Sequence, residues 1–248
     1  MNNYFLERQT FREFSDKDVS DGTIRMIAEA ATHAPNTGNM QTYSLVITRD
    51  VAKLAHAHFN QKAATDAKVL LTFCADYNRF TKWCKMRSAE PYYGNFQSFV
   101  GAMIDASIFA QQFATIAEME GLATCCLGTT TYNAPQIAET LNLPKLVVPV
   151  TTLALGWRRA GDKLQGTERL PIEAILHNEQ YKDYSEEDIN RFYKEKEALA
   201  ENVQFVREND KQTLAQVFTD VRYTKANNEY FSKVYRDFIE SAGFTIAD

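Results

Sequence analysis

Residues 95–121, NFQSFVGAMIDASIFAQQFATIAEMEG, decide the fold. Their apolar residues fall on two adjacent helical stripes, Phe99-Met103-Ala106-Ala110 and Val100-Ile104-Ile108. Nearly the whole circumference of this helix is therefore apolar, and Gly121 stands where a glycine commonly follows a helix end. We predict a long helix that is buried through the middle of the molecule.

Strand-like segments lie on both sides of this helix in the chain. Residues 69–75 are apolar on both faces, which is typical of a central strand, and other β-rich runs lie at 43–48, 122–127 and 147–157. Helices are expected after the Ser20-Asp21 cap and at 135–141, 186–206, 213–225 and 228–241. Because strands and helices intermix without a strict β-α repeat, we predict an α+β fold with a central mixed or antiparallel sheet flanked by helices.

Composition disfavours several functional classes. The net charge of −5 and the pI near 5.5 are unlike those of proteins that bind a nucleic-acid backbone. No uninterrupted run of 18 apolar residues predicts a membrane span, and the N-terminus turns polar too early for a signal peptide. None of the four cysteines has a C-x-x-C or zinc spacing. We expect a cytoplasmic protein with reduced thiols, in which Cys74, Cys125 and Cys126 are buried.

Familiar motifs of metal and nucleotide chemistry do not occur in the sequence. The chain lacks G-x-G-x-x-G, the P-loop, H-E-x-x-H and G-x-S-x-G. Only four histidines are present, none at a metal-ligand spacing, and His56 and His58 would point in different directions on a helix. We therefore expect no metal site.

Residues 1–248 are interpreted as one domain. Within it, residues 185–208 are rich in Glu, Lys and Arg and poor in large apolar side chains, which predicts an exposed helix with a solvated face. The alternative is a mobile helical excursion at about 185–212, either a flap or an arm that embraces a second subunit.

The N-terminal segment carries an alternating pattern of polar residues. Arg8, Thr10 and Arg12 would project to one side of an extended chain, where two guanidinium groups and a hydroxyl suit phosphate oxygens. On its own the pattern is more typical of arginines that face solvent. After the first helix comes APNTGNMQ at 34–41, a loop directly before a strand.

Taken in order, these segments resemble the nitroreductase family, whose members begin with an R-x-S-x-R-like motif and continue with an A-P-S-x-x-N-x-Q-like loop. Further matches are FCADYNR at 73–79, GLATCCLG at 121–128, LNLP at 141–144, LGW at 155–157 and RLP at 169–171. The chain is most similar to the larger, usually NADPH-linked and oxygen-insensitive branch, and the resemblance covers nearly its whole length.

The resemblance implies an intertwined homodimer with FMN sites at the subunit interface. Arg8, Thr10, Arg12 and Arg169 would hold the FMN phosphate and ribityl chain. Asn36, Asn39, Gln41 and Gln61 would hydrogen-bond the flavin or its ribityl oxygens, and Gly128 and Thr129 would offer backbone N–H groups. Loop capping is the alternative role for Asn36, Asn39 and Gln41. The resemblance assigns no catalytic side chain, because flavin N5 carries the hydride.

Two departures from the family pattern bear on the cofactors. The branch usually has K-P-R-L-P where this chain has Thr167-Glu168-Arg169-Leu170-Pro171, so one phosphate cation is missing; Lys163 or Arg159 is a candidate replacement. Cations for the 2′-phosphate of NADPH would be Arg207, Lys211 or Arg222, although acidic residues lie among them and a plain surface loop is an equal alternative.

The resemblance thus implies an FMN-dependent enzyme that takes hydride from NADPH or NADH and reduces electron-poor small molecules such as nitroaromatics, quinones or flavins. Two alternatives are a flavoenzyme of the same fold with a different reaction, such as reductive dehalogenation, and a flavin store or redox sensor without turnover. We expect no nucleic-acid or membrane partner.

Overall fold

A computed structural model describes residues 4–164 and 166–246 of the chain. These residues cluster into two compact units. Among the described residues, the larger unit comprises 10–163 and 231–246, and the smaller unit comprises 4–9, 164 and 166–230.

The larger unit is built on one antiparallel sheet. Its strands are β1 (Tyr43–Thr48), β2 (Val69–Asp76), β3 (Leu122–Leu127) and β4 (Val147–Trp157). They lie in the order β1-β2-β4-β3. Every neighbouring pair is antiparallel. The prediction of a central strand at 69–75 is confirmed, since β2 pairs on both sides and all its residues are buried.

Helices account for most of the remaining regular structure. In chain order they are α1 (Tyr4–Glu7), α2 (Asp21–Ala31), α3 (Ala52–Ala55), α4 (Lys62–Asp66), α5 (Asn78–Met86), α6 (Phe96–Met119), α7 (Ala134–Thr140), α8 (Glu186–Ala198), α9 (Ala200–Glu208), α10 (Leu214–Val217) and α11 (Lys225–Ser241). Short 3-10 turns occur at Thr37–Asn39, His56–His58, Gly128–Thr130 and Ile172–Ala174. The α+β class is confirmed.

The long helix forms where the sequence predicts it. Asn95 caps its N-terminus by accepting a hydrogen bond from the Ser98 N–H at 2.9 Å, and Gly121 follows its end with φ of +89°. On its buried side, Phe109 and Phe113 pack edge-on against Phe73 of β2, with ring centroids 5.4 and 5.7 Å apart.

The long central helix is confirmed, but in the single chain one of its sides is exposed. The sheet and α2 cover one side of α6, whereas Ile104 is 50% exposed and Ile108 and Met119 are also exposed. By length and composition α6 could also cross a bilayer. That is weak support for a membrane span, because the core helix of a soluble protein meets the same criterion.

The cysteine prediction is confirmed in part. Cys74 and Cys125 are buried, as is Cys84, but Cys126 is exposed. Successive residues of a strand point to opposite faces, so Cys126 on the edge strand β3 faces away from the side that buries Cys125.

The smaller unit departs from the predicted helix boundaries. The helix expected at 186–206 is two helices, α8 and α9, separated at Leu199, whose ψ of 132° is extended. The helix expected at 213–225 is α10 followed by a π-helical turn, Phe218–Arg222. Across these elements Phe192, Leu214 and Val217 are the buried residues, so little packing favours long continuous helices.

Candidate functional site

The segment that contains Arg12 runs along the sheet of the larger unit. The Phe11 N–H donates to the Thr124 carbonyl at 3.1 Å, and the Ser15 N–H donates to the Trp157 carbonyl at 2.9 Å. These bonds fix the backbone on either side of Arg12. Its side chain is exposed and forms no ion pair with any residue that the structure describes, which leaves its charge available to an anion.

An ion-pair cluster holds the next residues of this segment. The Phe14 N–H donates to Asp66 Oδ2 at 2.6 Å, and Arg159 Nε donates to the Phe14 carbonyl at 3.0 Å. Arg159 also pairs with Asp66 and Glu13. Because its guanidinium group is bound to these partners, Arg159 is a poor substitute for the missing phosphate cation.

The loop between α2 and β1 has an unusual backbone. Gly38, Asn39 and Gln41 all have left-handed conformations, with φ of 55°, 54° and 53°. Asn36 caps the loop: its Oδ1 accepts from the Gln41 N–H at 3.0 Å, and its Nδ2 donates to the Ala34 carbonyl at 3.4 Å. The side chains of Asn39 and Gln41 are exposed and make no hydrogen bond within the described part of the chain.

A buried carboxylate holds this loop in place. Asp105 of α6 is 2% exposed and accepts hydrogen bonds from the Thr37 N–H and hydroxyl, both at 3.0 Å, and from the Thr42 hydroxyl at 2.7 Å. Burial, followed by the nearby Asp105 carboxylate, raises the pKa of Tyr43 above its usual range.

Arg79, which follows the end of β2, supports the same loop. Its guanidinium group donates to the Gln41 carbonyl and, at 3.4 Å, to the Tyr43 carbonyl. Asp76 accepts from the Arg79 N–H at 3.2 Å and from the Ser44 hydroxyl. The left-handed backbone of Gln41 is thus held from two directions, by Asn36 and by Arg79.

A second group of predicted residues meets where the turns His56–His58 and Gly128–Thr130 contact each other. Gln61 Nε2 donates to Thr129 Oγ1 at 3.0 Å, which brings two predicted flavin contacts together. Thr129 Oγ1 also lies 3.0 Å from Nδ1 of His58, a fully buried histidine. Burial lowers the pKa of His58 from 6.5 to about 4, so its ring is neutral at physiological pH. Gly128 is exposed, and a Cβ there would meet no atom within 4 Å.

The remaining predicted residues lie in the smaller unit, except for Thr10, which begins the larger one. Arg8 is half-buried, whereas Arg169 is exposed and donates to the carbonyls of Thr167 and Glu168 at 3.3 and 2.9 Å. This guanidinium group thus bonds to carbonyls of its own segment, and the Glu168 side chain is exposed beside it.

The cations proposed for the NADPH 2′-phosphate also have partners. Lys211 pairs with Asp220 at 3.1 Å, and the Arg222 guanidinium lies 4.2 Å from the Phe205 ring centroid. Arg207 is the residue of this set that forms neither an ion pair nor a ring contact within the described chain.

Sequence reasoning missed three residues that organise these loops: Asp105, Arg79 and His58. Asp105 is an acid within an otherwise apolar stretch of helix, and such a residue signals a buried hydrogen-bonding role. His58 carries no such signal, because its partner Thr129 is distant in sequence.

The fold and these loops define an α+β protein of the nitroreductase type, with one antiparallel sheet and a long core helix. Residues 6–157 match the sequence model of the Nitroreductase family, and the chain belongs to that family. It is 30% identical to the oxygen-insensitive NADPH nitroreductase of Salmonella typhimurium strain LT2 over 74% of this chain and 75% of that protein.

Two other proteins match nearly the whole chain. An FMN reductase [NAD(P)H] of Bacillus subtilis strain 168 is 26% identical over 97% of this chain and 96% of its own. A crystal structure of a candidate oxidoreductase from Bacteroides fragilis NCTC 9343 is 48% identical and superposes with a TM-score of 0.92, over 96% of this chain and 97% of that one.

Proposed function

We propose that this chain is an FMN-dependent NAD(P)H oxidoreductase that reduces electron-poor small molecules such as nitroaromatics, quinones or flavins. Family membership and the relatives named for FMN and NADPH support the reaction class. The observation that carries the proposal is a preorganised polar receptor formed by Arg12, Asn39 and Gln41. Their side chains are exposed and have no partner among the described residues, and their backbone segments are held by hydrogen bonds to the sheet, to Asn36 and to Arg79.

The donor set of these residues suits FMN. Arg12 supplies a cation for the phosphate, with Thr10 beside it, and the free amides of Asn39 and Gln41 can pair with ribityl hydroxyls or flavin oxygens. Asn36 acts chiefly as the cap of this loop. Arg8 and Arg169 are assigned to the phosphate by the family resemblance alone.

The flavin edge is assigned to the second group of residues. Gly128 and Thr129 would present backbone N–H groups, since Gly128 leaves open space where another residue would place its Cβ. Gln61 would contact the ring with its amide. When bound, FMN supplies the chemistry of accepting hydride from a nicotinamide and passing it to the substrate. The protein contributes orientation, hydrogen bonds and exclusion of water, which explains why no acid–base pair is needed.

The nicotinamide donor is proposed to be NADPH in preference to NADH. Arg207 has no ion pair or ring contact with any residue that the structure describes, whereas Lys211 and Arg222 have partners within the smaller unit. We expect Arg207→Ala to raise the KM for NADPH about tenfold with little change for NADH, because a 2′-phosphate contact is a charge-assisted hydrogen bond. Steady-state kinetics with both donors measures this ratio, with Arg191→Ala as a control cation in the same unit.

We also propose a cytoplasmic homodimer. The larger unit exposes large apolar side chains that a second copy would cover: Trp83, Met86, Tyr92, Phe96, Ile104 and Ile108. Exposed large apolar side chains in this number are typical of a protein that has an interface between subunits. Sedimentation equilibrium tests the dimer, and Ile104→Lys together with Ile108→Lys should give monomers.

The purified protein tests the enzyme proposal directly. We expect a yellow protein, or one that takes up added FMN, whose flavin absorption bleaches anaerobically with NADPH or NADH and returns when a quinone is added. A flavin that no nicotinamide reduces would favour a store or sensor. A protein that takes up no FMN would contradict the proposal.

A further inference from the structure

His58 lies at the centre of a hydrogen-bonded cluster that joins the two turns of the proposed flavin edge. Gln61 Nε2 donates to the His58 carbonyl at 3.1 Å and to Thr129 Oγ1 at 3.0 Å. Thr129 Oγ1 in turn lies 3.0 Å from His58 Nδ1. The histidine is fully buried, and its Nε2 has no hydrogen-bond partner among the described residues.

Counting protons gives the direction of each bond. If Nδ1 donated to Thr129, the threonine hydroxyl proton and the Nε2 lone pair would both lack a described partner. If Nδ1 instead accepts from Thr129, the Nε2 proton alone lacks a described partner. Thr129 is half-buried, whereas the His58 ring is fully buried. The arrangement that satisfies more of these atoms within the cluster is Gln61 N–H to the Thr129 hydroxyl and Thr129 O–H to Nδ1.

This arrangement determines which end of the Gln61 amide is free. Both hydrogens of Nε2 are used within the cluster, one on the His58 carbonyl and one on Thr129. The carbonyl oxygen Oε1 of this exposed side chain is therefore the group available to a ligand. An amide oxygen accepts hydrogen bonds, and the isoalloxazine ring has an N–H donor at N3 for such an acceptor.

We propose that His58 is a positioning residue for FMN: through the Thr129 hydroxyl it fixes the Gln61 amide with its oxygen directed outward, as an acceptor for a flavin ring N–H. This inference rests on the proposed FMN function. It concerns a residue that does not itself touch the cofactor, and it assigns the buried histidine a function beyond packing.

The backbone around His58 supports a functional rather than an incidental cluster. The two residues that follow it, Phe59 and Asn60, both have left-handed conformations, with φ of 55° and 50°. Non-glycine residues in this region are strained and persist where surrounding contacts hold them, often at functional sites. Here Asn133 Nδ2, directly before α7, donates to the Ala57 carbonyl at 2.6 Å and ties the turn His56–His58 to the start of that helix.

Four variants of the full-length protein test the inference, with FMN itself as the probe. His58→Leu removes the ring acceptor, and His58→Asn keeps a polar atom near the position of Nδ1. Thr129→Val removes the hydroxyl, and the double variant His58→Leu/Thr129→Val tests whether the two residues act in series. The exposed neighbour His56 provides the control, His56→Leu.

FMN affinity, measured by quenching of flavin fluorescence, is the first readout. We expect His58→Leu to weaken binding about 5- to 10-fold, the scale of one hydrogen bond. His58→Asn should recover most of the loss, and the double variant should bind no worse than the weaker single variant. The visible band of bound FMN should change in His58→Leu and not in His56→Leu. Urea unfolding should show His58→Leu to be as stable as wild type, because leucine leaves no unpaired nitrogen.

The outcomes separate this inference from the proposed function. Wild-type protein that takes up FMN, together with a His58→Leu variant of unchanged affinity and spectrum, would overturn the inference alone. Additive losses in the double variant would also overturn it, since residues acting in series do not add. Wild-type protein that takes up no FMN would overturn the proposed function as well.

Discussion

Each of the two compact units of this chain contains a hydrogen-bonded aspartate, and the two aspartates differ in how exposed their surroundings are. In the larger unit Asp105 is buried, and its carboxylate accepts from one backbone N–H and two hydroxyls. In the smaller unit Asp188 also accepts from a backbone N–H and a hydroxyl, both of Ser185, but it lies at the start of an exposed helix. Similar bonds therefore occur in two different environments.

The difference shows where the geometry of the candidate site is determined. Hydrogen bonds in a low-dielectric interior are strong, and removing one partner leaves the others unsatisfied. Bonds at the surface can be replaced by water and contribute little. The loops proposed to hold FMN are thus fixed by buried anchors of the larger unit, whereas the polar residues of the smaller unit mainly define its local helix ends.

Asp105 offers the largest expected effect. We expect Asp105→Ala to lower the free energy of unfolding by about 4 kcal/mol, because the fully buried Thr42 hydroxyl and two partly buried donors of Thr37 lose their acceptor. Urea denaturation measures this loss. Asp105→Asn should be intermediate, and Asp188→Ala should have a much smaller effect. A loss in Asp188→Ala as large as that in Asp105→Ala would remove the distinction between the two units.

His58 provides a test by pH. Its pKa is lowered from 6.5 in the unfolded chain to about 4 in the folded one, so between these values the unfolded chain binds the proton and the folded protein does not. The contribution of His58 to the free energy of unfolding is therefore fully present above pH 6.5. It is lost on acidification, and the total loss is about 3 kcal/mol at pH 4 and below. Urea unfolding of wild type and His58→Leu at several pH values isolates this contribution.

The slope of stability against pH distinguishes wild type from the variant. We expect His58→Leu to flatten the wild-type slope between pH 4 and 6.5. If the slope survives in His58→Leu, the acid sensitivity belongs to other groups and the buried histidine is not the cause.

Periodic, local features of this protein are predictable from sequence. Helix α6 follows from its apolar stripes, its Asn95 cap and Gly121, and β2 follows from an apolar run. Two of the residues named for the flavin edge also lie together in the structure, since Gln61 and Thr129 share a hydrogen bond. Each of these signals lies within a few residues or comes from the family pattern.

What sequence reasoning misses depends on contacts between distant residues. Asp105 meets Thr37 and His58 meets Thr129 only after the chain has folded, so no local spacing reveals them. Sequence reasoning misses the break between α8 and α9 at Leu199 for a different reason. A charged helix with few buried residues has no periodic signal strong enough to mark where it ends.

Gly156 tests how closely the N-terminal segment is anchored to the sheet of the larger unit. A Cβ at this position would lie 2.6 Å from Phe14 Cβ, so either the segment or β4 must move. We expect Gly156→Ala to cost about 2 kcal/mol, within the range for overpacking a core. Gly101→Ala is the matched control, because a Cβ there meets nothing within 4 Å. An unchanged melting temperature for Gly156→Ala would show that the segment adjusts freely.

The smallest effect is expected in the smaller unit, at the position where the family usually has lysine. If Arg169 contributes to the FMN phosphate, Thr167→Lys should restore the missing cation and tighten FMN binding about threefold, since an exposed charge pair contributes little. Thr167→Gln controls for the longer side chain without its charge. The gain should shrink as salt rises, because screening weakens an exposed ion pair. Equal affinities for Thr167→Lys and Thr167→Gln at low salt would place the phosphate away from this segment and leave Arg12, in the larger unit, as its principal cation.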